Sequence, residues 1–453
     1  MGSSMDKKVQ ILSPAGNLAK LKIALAYGAD AVYGGVSHFS LRTRAGKEFS
    51  YEDFAEGVRY AHALGKKVFV TINGFPFNNQ LKLLESHILK MADLAPDAFI
   101  VAAPGVVRLA KKLVPQIPIH LSTQANVLNV LDAEVFYEMG VKRIVAAREL
   151  SLKDAREIKK HLPDLELEIF VHGSMCFAFS GRCLISALQS GRVPNRGSCA
   201  NDCRFDYEYF VRDEASDSLV KFNGKELFVK NPDNGVMMRL EEQEGLGTHI
   251  FNSKDLNLSA HIKEILDSGA VDALKIEGRT KSHYYAAITA RAYRAAVDDY
   301  YRGELDSSFY AFELNTLKNR GFTNGYIISR PYEKNTTQNH LTAISEGSYQ
   351  VNAEVLEGGE FALCKHTIRV GESKEIVLPF GAHVECGQSE LGEIYEEEIE
   401  QGGQKRLVKK MRFDKILTQD GKELESIHSG NVNAFKLPLP LPPFSFLRQE
   451  IVE

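Results

Sequence analysis

Four cysteines stand close together in the middle of the chain and could hold a metal or take part in redox chemistry. Cys176, Cys183, Cys199 and Cys203 are separated by six, fifteen and three residues. Structural zinc sites usually use two tight pairs of ligands, so the long first spacing fits zinc poorly. Four thiolates are also the full ligand set of a 4Fe–4S cluster. The spacing favours an iron–sulfur cluster and leaves zinc and redox thiols as alternatives.

Composition points to a large protein of the reducing cytosol. The 453 residues are 44% hydrophobic, which is enough for a large core and predicts two or three domains. No apolar run approaches the roughly 20 residues that cross a membrane, and no secretion leader is recognisable, so we expect a cytoplasmic protein without membrane contact. Met1–Ser4 are predicted to be a cloning remnant before the natural start at Met5.

The net charge of −4 gives no general attraction to nucleic acids, so any such contact would need a local basic patch. Candidates are the strand around Lys405–Arg412 and the cations Lys281, Arg291 and Arg294, for which a solvated surface is the plain alternative.

Cys364 and Cys386 stand alone and are predicted to be buried small apolar residues.

The layout predicts an α/β fold, a (βα)8 TIM-like barrel, over residues 5–310. Short apolar runs alternate with amphipathic helical stretches, which is typical of parallel sheets. Eight such units in about 300 residues favour a closed barrel over an open sheet. The predicted strands are Gln10–Leu12, Ala31–Gly34, Val68–Ile72, Ala98–Val101, Ile117–Leu121, Arg143–Ala147, Leu167–Val171 and Ala273–Ile276.

An insertion of about residues 174–249 follows the seventh predicted strand and carries the four cysteines. Barrel active sites lie at the carboxyl ends of the strands, so this insertion should lie over the catalytic face. Four nearby arginines could balance thiolate charge or contact an anionic substrate: Arg182, Arg192, Arg196 and Arg204. Residues 311–347 are predicted to form a linker, and 348–453 a small C-terminal all-β barrel domain.

The segments around the cysteines resemble peptidase family U32. The most specific are EIFVHGSMC at 168–176 and GRCLIS at 181–186. The resemblance covers most of the chain and includes LSPAG at 12–16, GADAVY at 28–33, STQAN at 122–126, RELS at 148–151 and LKIEGR at 274–279. Members with this cysteine set are understood as iron–sulfur proteins of oxygen-independent hydroxylation.

The resemblance implies a 4Fe–4S cluster on the four cysteines, with zinc as the alternative metal. Length and the β-domain make the chain most similar to members that, with prephenate as co-substrate, help to convert the wobble uridine of tRNA to 5-hydroxyuridine. The implied partners are therefore tRNA and prephenate, with an electron donor or iron–sulfur assembly proteins. Sister proteins hydroxylate a ribosomal-RNA cytidine or ubiquinone precursors, which keeps those substrates open.

Polar residues at the predicted strand ends should line the barrel mouth. They are Ser13, Asn73, Gln124, Asn126, Arg148, Glu149, His172, Glu277 and Arg279. Because prephenate is a dicarboxylate, Arg148 and Arg279 are candidate anchors, with structural Arg–Glu pairs as the alternative. Ser13, Asn73 and Glu149 are further candidate substrate contacts.

Four of these residues are candidates for catalysis. His172 could shuttle protons or serve only in packing, and Glu277 could be a general base or pair with Lys275 or Arg279. Gln124 and Asn126, two apart on one predicted strand, could recognise a pyrimidine edge or bond the strand ends together.

The family name suggests hydrolysis as a competing function. The sequence contains neither an H-E-x-x-H zinc motif nor a G-x-S-x-G elbow, and Ser174 has no evident base partner. These absences weaken the peptidase interpretation without excluding it.

Overall fold

Eight short segments rich in buried apolar residues form parallel strands that close into a barrel. The structure is a computed structural model that describes residues 8–36, 39–40, 49–196, 199–204, 208, 210–213, 218–221, 227–230, 237–240, 242–243, 247–248, 253–328, 347–401, 404–431 and 434–451. The barrel strands are β1 (Gln10–Pro14), β2 (Ala31–Gly34), β3 (Lys67–Ile72), β4 (Ala98–Val101), β5 (Ile119–Leu121), β6 (Arg143–Val145), β7 (Glu166–Ser174) and β8 (Ala273–Ile276). Each pairs with the next in parallel, and β8 pairs with both β7 and β1. The predicted (βα)8 barrel is confirmed.

Helices follow the strands of the barrel, and the seventh helix lies in the segment between β7 and β8. They are α1 (Leu18–Ala26), α2 (Tyr51–Ala63), α3 (Leu81–Ala92), α4 (Pro104–Leu113), α5 (Val130–Glu138), α6 (Leu152–His161), α7 (Ile185–Ser190), α8 (Ile262–Asp267), α9 (His283–Arg302) and α10 (Ser307–Asn315). Six begin at a side chain that accepts the backbone N–H three residues later: Asn17, Ser50, Asn129, Ser151, Ser282 and Asp306. These caps satisfy amides that the first helical turn leaves without partners, and so fix where each helix begins.

The inside of the barrel combines an apolar layer with buried ions. Leu12, Tyr33, Phe69 and Ile100 belong to the apolar layer. Beside it, the carboxylate of Glu168 accepts Lys275 Nζ at 2.7 Å and Arg143 Nη1 at 3.0 Å. Burial disfavours the charge on Glu168, but the two cations outweigh it and lower the pKa of this carboxyl.

Between β7 and β8 lies the predicted insertion. Its described parts are α7, two single turns, Pro194–Arg196 and Asp202–Arg204, and three short antiparallel pairs. These pairs join Phe210–Asp213 to Ser218–Lys221, Leu227–Lys230 to Met237–Leu240, and Glu242–Gln243 to Gly247–Thr248. The chain then returns along the barrel rim, where Asp255–Asn257 pairs antiparallel with β7.

The C-terminal part is an antiparallel sheet, as the alternating pattern predicts. Its main strands are β9 (Tyr349–Val355), β10 (Phe361–Cys364), β11 (Ser373–Val377), β12 (Gly392–Gln401), β13 (Gln404–Phe413) and β14 (Phe446–Glu450). Gly387–Ser389 and Phe435–Lys436 complete eight strands in this sheet. Shorter pairs join Ile368–Arg369 to Ser426–Ile427 and Ile416–Leu417 to Glu423–Leu424.

The predicted domain boundaries themselves stay a prediction. Within the predicted linker 311–347, the described residues include the end of α10 and the strand Phe322–Thr323, which pairs with Asp255–Asn257. Residues 1–4 and 329–346 lie outside the described residues.

A buried ionic cluster joins the sheet to the barrel helices. Arg448 on β14 donates to Glu313 of α10 at 3.0 Å, to Glu375 of β11 at 2.6 Å and to the Tyr284 hydroxyl of α9 at 2.8 Å. Its side chain is 1% exposed. Because all these groups are removed from water and compensate one another, the sheet is held against α9 and α10 at a defined position.

Candidate functional site

A cavity of about 270 Å³ opens at the carboxyl ends of the barrel strands. Its wall includes Tyr33 of β2, Asn73 after β3, Arg148 after β6, Ser174 at the end of β7 and Glu277 after β8. The loop that follows β7 forms its outer part. The prediction that this loop lies over the catalytic face of the barrel agrees with this placement.

All four clustered cysteines line this cavity. Cys176 is exposed, whereas Cys183, Cys199 and Cys203 are partly buried. Burial raises the pKa of the Cys203 thiol, Arg204 opposes that rise, and the other three thiols add to it. No three His, Cys, Asp or Glu side chains among the described residues stand in metal-ligand geometry. The four thiols line one cavity, and four cysteines are a ligand set of both 4Fe–4S clusters and structural zinc.

The cysteine loop is fixed to the barrel by hydrogen bonds that the sequence did not reveal. Glu149 Oε1 accepts the Ser180 backbone N–H at 3.0 Å, and the Arg148 N–H donates to Ser180 Oγ at 3.3 Å. Asn195 Nδ2 donates to the Gly181 carbonyl at 2.8 Å. The sequence predicts Glu149 as a substrate contact, and in the structure it positions this loop. Its buried Oε2 has no hydrogen-bond partner among the described residues.

Two glycines permit close approaches around the cavity. Gly173 has a φ of +113°, and a Cβ there would lie 2.6 Å from the Glu277 carbonyl oxygen. Gly181 has a φ of +74°, and a Cβ there would lie 2.6 Å from the Gln124 carbonyl oxygen. Any side chain would force these backbones apart, so both glycines of the sequence motifs shape the cavity.

Arg148 and Glu277 meet at the cavity wall. Arg148 Nη2 donates to Glu277 Oε2 at 3.0 Å, and the guanidinium lies 4.1 Å over the Phe170 ring. Burial opposes the charge on Arg148, but Glu277, followed by Cys176 and Glu149, outweighs it and raises the pKa of the guanidinium. The sequence left two roles open for Arg148, an anchor for a carboxylate or a structural Arg–Glu pair. The structure shows the pair.

Arg279 has different partners. Its Nη1 donates to Ser40 Oγ at 2.7 Å and to Thr71 Oγ1 at 3.1 Å, and its side chain lines the cavity. These hydroxyls orient the guanidinium at the cavity wall. Arg279 is therefore suited to an anionic ligand.

Gln124 and Asn73 bond to each other. Asn73 Nδ2 donates to Gln124 Oε1 at 2.9 Å, which also accepts Ser122 Oγ at 3.0 Å, while Gln124 Nε2 donates to the Asn73 carbonyl at 3.0 Å. Both residues line the cavity, yet these bonds join the ends of β3 and β5.

Four predicted site residues lie outside the lining of this cavity: Ser13, Asn126, Glu149 and His172. The expectation that Gln124 and Asn126 share a strand face is wrong, because the chain turns into a 3-10 helix, Thr123–Ala125, and Asn126 adopts a left-handed φ of 61°. Ser13 is fully buried in β1. Oδ1 of Asn126 and Oγ of Ser13 have no hydrogen-bond partner among the described residues.

His172 also lies away from the cavity. Its ring packs against Tyr285, Tyr293 and Phe322, with ring centroids 5.6–5.9 Å apart. Burial foremost, with a contribution from Lys281, lowers the pKa of His172 to about 3. This placement corresponds to the packing role, because a buried ring that stays neutral has no proton to deliver near pH 7.

Comparison with known proteins identifies the family. A family model described as peptidase family U32 matches residues 16–337. The chain belongs to peptidase family U32. It is 66% identical to a Helicobacter pylori protein named tRNA hydroxylation protein P, over 98% of this chain and 99% of that protein. An Escherichia coli protein of the same name is 38% identical, over 83% of this chain and 87% of that one.

A third relative matches this chain over a smaller share of its length. The Escherichia coli protein named as a 23S rRNA 5-hydroxycytidine synthase is 32% identical, over 71% of this chain and 46% of that protein. Among the described residues, no helix of this U32 chain has the length and apolar character needed to cross a membrane.

Several cations that the sequence offered for nucleic-acid contact are compensated. On β13, Lys405, Lys409, Lys410 and Arg412 each pair with a glutamate of the neighbouring β12. The side chain of Arg294 is 10% exposed and bridges Asp30 and Asp298. The structure therefore pairs these cations with carboxylates, and their contact with nucleic acid stays a prediction.

The two isolated cysteines differ from each other. Cys364 is buried, as predicted, and burial raises the pKa of its thiol to about 11. The same prediction for Cys386 is wrong, because it is exposed and lies 3.7 Å from Lys409 Nζ. Neither lines the cavity.

Proposed function

We propose that this chain hydroxylates the wobble uridine of tRNA to 5-hydroxyuridine, with prephenate as co-substrate. We further propose that Cys176, Cys183, Cys199 and Cys203 hold a 4Fe–4S cluster. The names and the high identity of the relatives support the reaction class. The observation that carries the proposal is the single cavity that brings the four thiols and the predicted anion anchors to one face of the barrel.

The charges around the cavity favour anionic substrates. Its lining contains five cations, Arg148, Arg204, Lys275, Arg279 and Lys281, and one carboxylate, Glu277, although Arg148 is bonded to Glu277 and Lys275 to the buried Glu168. A wall of this kind attracts both the carboxylates of prephenate and the phosphates of RNA. The alternative of a peptide substrate gains nothing from such an excess of positive charge.

Phenylalanines at the cavity mouth suit an unpaired base. Phe177 and Phe179 line the cavity and remain 44% and 51% exposed. Enzymes that modify a base bring it out of its stack and hold it against apolar or aromatic side chains. In this proposal the target uridine lies against Phe179, within reach of the polar wall.

In this proposal, Arg279, Glu277 and the four cysteines have different roles in the cavity. Arg279, oriented by Ser40 and Thr71, binds a carboxylate of prephenate. Glu277 is held in place by Arg148 at the cavity wall. When bound by the four cysteines, a 4Fe–4S cluster supplies one-electron transfer.

Mass spectrometry of total tRNA tests the proposed function. We expect 5-hydroxyuridine to disappear in a strain that lacks the chain and grows without oxygen, and to return when the wild-type gene is supplied. A gene encoding Cys199→Ser should not restore it. Unchanged 5-hydroxyuridine in the deletion strain would contradict the proposal, as would gelatin cleavage by purified protein that persists in Cys176→Ala.

A further inference from the structure

A pair of cations lies at the rim of the cavity, between the loops that follow β7 and β8. Arg204 belongs to the single turn Asp202–Arg204 in the cysteine loop, and Lys281 directly precedes the N-cap Ser282 of α9. Both side chains line the cavity. TIM barrels frequently bind phosphate between the loops after these two strands, where a helix begins.

Among the described residues, Lys281 and Arg204 form no ion pair, and the nearby Asp255 is already bonded to Arg320. Burial, with Arg320 and Arg204, lowers the pKa of Lys281, while Asp255 and Glu277 act in the opposite direction. The positive charges at this rim therefore repel one another, and a bound anion would relieve that repulsion.

The start of α9 adds to the positive potential. This helix spans His283–Arg302, and the amides of its first turn carry the positive end of the helix dipole. The Lys281 ammonium also lies 5.5 Å from the centre of the Tyr285 ring. Two flexible cations from different loops, together with a helix start, suit a group with several oxygens such as phosphate.

We propose that Lys281 and Arg204 form a phosphate site that binds a backbone phosphate of the RNA nucleotide whose base enters the cavity. This inference rests on the proposed function and adds to it the residues that hold the RNA backbone. Phe177 and Phe179 line the same cavity, so one site would contact both the base and its phosphate. In the proposed function, Arg279, which is bonded to Ser40 and Thr71, binds the carboxylate of the co-substrate.

Salt-dependent binding of an unmodified tRNA transcript to the full-length protein tests the site. Lys281→Met and Arg204→Gln should each weaken binding about tenfold at 150 mM KCl, as expected for a charge-assisted contact. Each should also lower the slope of log affinity against log salt by about 0.7 to 0.9, the contribution of one phosphate contact. Lys281→Arg should retain most of the affinity.

Matched controls separate a local contact from a general loss of charge. Lys142 lines the opposite opening of the barrel, at the amino ends of the strands, and Arg108 is exposed on α4. Lys142→Met and Arg108→Gln should leave affinity and slope unchanged. Thermal unfolding of every variant establishes that a loss of binding does not reflect a loss of folding.

The outcomes distinguish this inference from the proposed function. Wild-type affinity and slope in Lys281→Met and Arg204→Gln would overturn the phosphate site and leave the hydroxylase proposal standing. Normal tRNA binding with a greatly raised KM for prephenate would assign the two cations to the carboxylates of the small molecule, and would also overturn it. Failure of the wild-type protein to bind tRNA would overturn both proposals.

Discussion

The guanidinium of Arg148 is bonded to the carboxylate of Glu277 at 3.0 Å, across the gap between the ends of β6 and β8. The two side chains are 10% and 20% exposed, so the pair is largely removed from water. It stands at the wall of a cavity that also contains Cys176, whose thiol contributes to the electrostatic environment of Arg148. The pair is thus part of the wall of the cavity that the proposed function uses.

Glu277→Gln should destabilise the protein as well as impair activity. The amide can still accept one hydrogen bond, but the buried guanidinium loses the charge that compensates it. We expect the free energy of unfolding to fall by about 2 kcal/mol, the typical cost of a charged hydrogen bond. Urea unfolding at pH 7 measures this change.

Glu304→Gln is the matched control for that experiment. Glu304 pairs with Arg302, and both side chains are more than half exposed, at 67% and 55%. Exposed pairs contribute little, so this variant should unfold like the wild type. Equal stabilities for Glu277→Gln and Glu304→Gln would show that the Arg148 pair is not a stabilising contact.

Cys199→Ser should abolish binding of the proposed cluster. A serine hydroxyl is a poor substitute for a thiolate ligand of iron. We expect protein purified without oxygen to be brown with iron and acid-labile sulfide in the wild type, and to lose most of both in the variant. Absorbance and metal analysis measure this.

Cys386→Ser controls for the general effect of removing a thiol. Cys386 is exposed and lies outside the cavity, so its replacement should leave iron and sulfide unchanged. Colourless wild-type protein with stoichiometric zinc would contradict the iron–sulfur assignment and support zinc instead.

Phe179→Ala should weaken recognition of tRNA while leaving prephenate binding intact. Stacking of a base on an aromatic side chain contributes about 1–3 kcal/mol. We therefore expect kcat/KM for tRNA to fall about 5- to 150-fold, with the KM for prephenate unchanged. Phe380→Ala removes a ring of similar exposure, 43%, from outside the cavity and should behave like the wild type. A comparable loss in Phe380→Ala would argue against a specific base contact at Phe179.

The sequence was sufficient to predict the barrel because its strands are local patterns. The segment Ala31–Gly34 is bounded in the structure as predicted, and β3 differs by one residue at its start. The cysteine loop was also placed correctly after β7. Each of these features depends on short apolar runs or on the spacing of neighbouring residues.

The orientation of individual side chains could not be predicted in this way. His172 and Ser174 are two apart on β7, yet Ser174 lines the cavity and His172 packs against tyrosines. Gly173 between them has a positive φ, which breaks the regular alternation of a strand. Pairings such as Asn195 with Gly181 depend on how the loop folds back, and no local pattern reports them.

His172→Gln should reduce the loss of stability in acid. The pKa of His172 is lowered to about 3 in the folded protein, from 6.5 in its ordinary state. Between these two values the unfolded chain binds one more proton than the folded chain, so acid favours unfolding. Within that window, the free energy of unfolding therefore falls by about 1.4 kcal/mol for each unit by which the pH falls. Above pH 6.5 this loss is absent.

Urea unfolding of wild type and His172→Gln at pH 7, 6, 5 and 4.5 measures the difference. Glutamine cannot take up the proton, so the variant should lose stability more slowly toward pH 4.5, although lost packing lowers its stability at pH 7. His366 is exposed, and His366→Gln should retain the wild-type slope. An unchanged slope in His172→Gln would mean that the ring is protonated while folded, which would restore proton transfer as a role for this histidine.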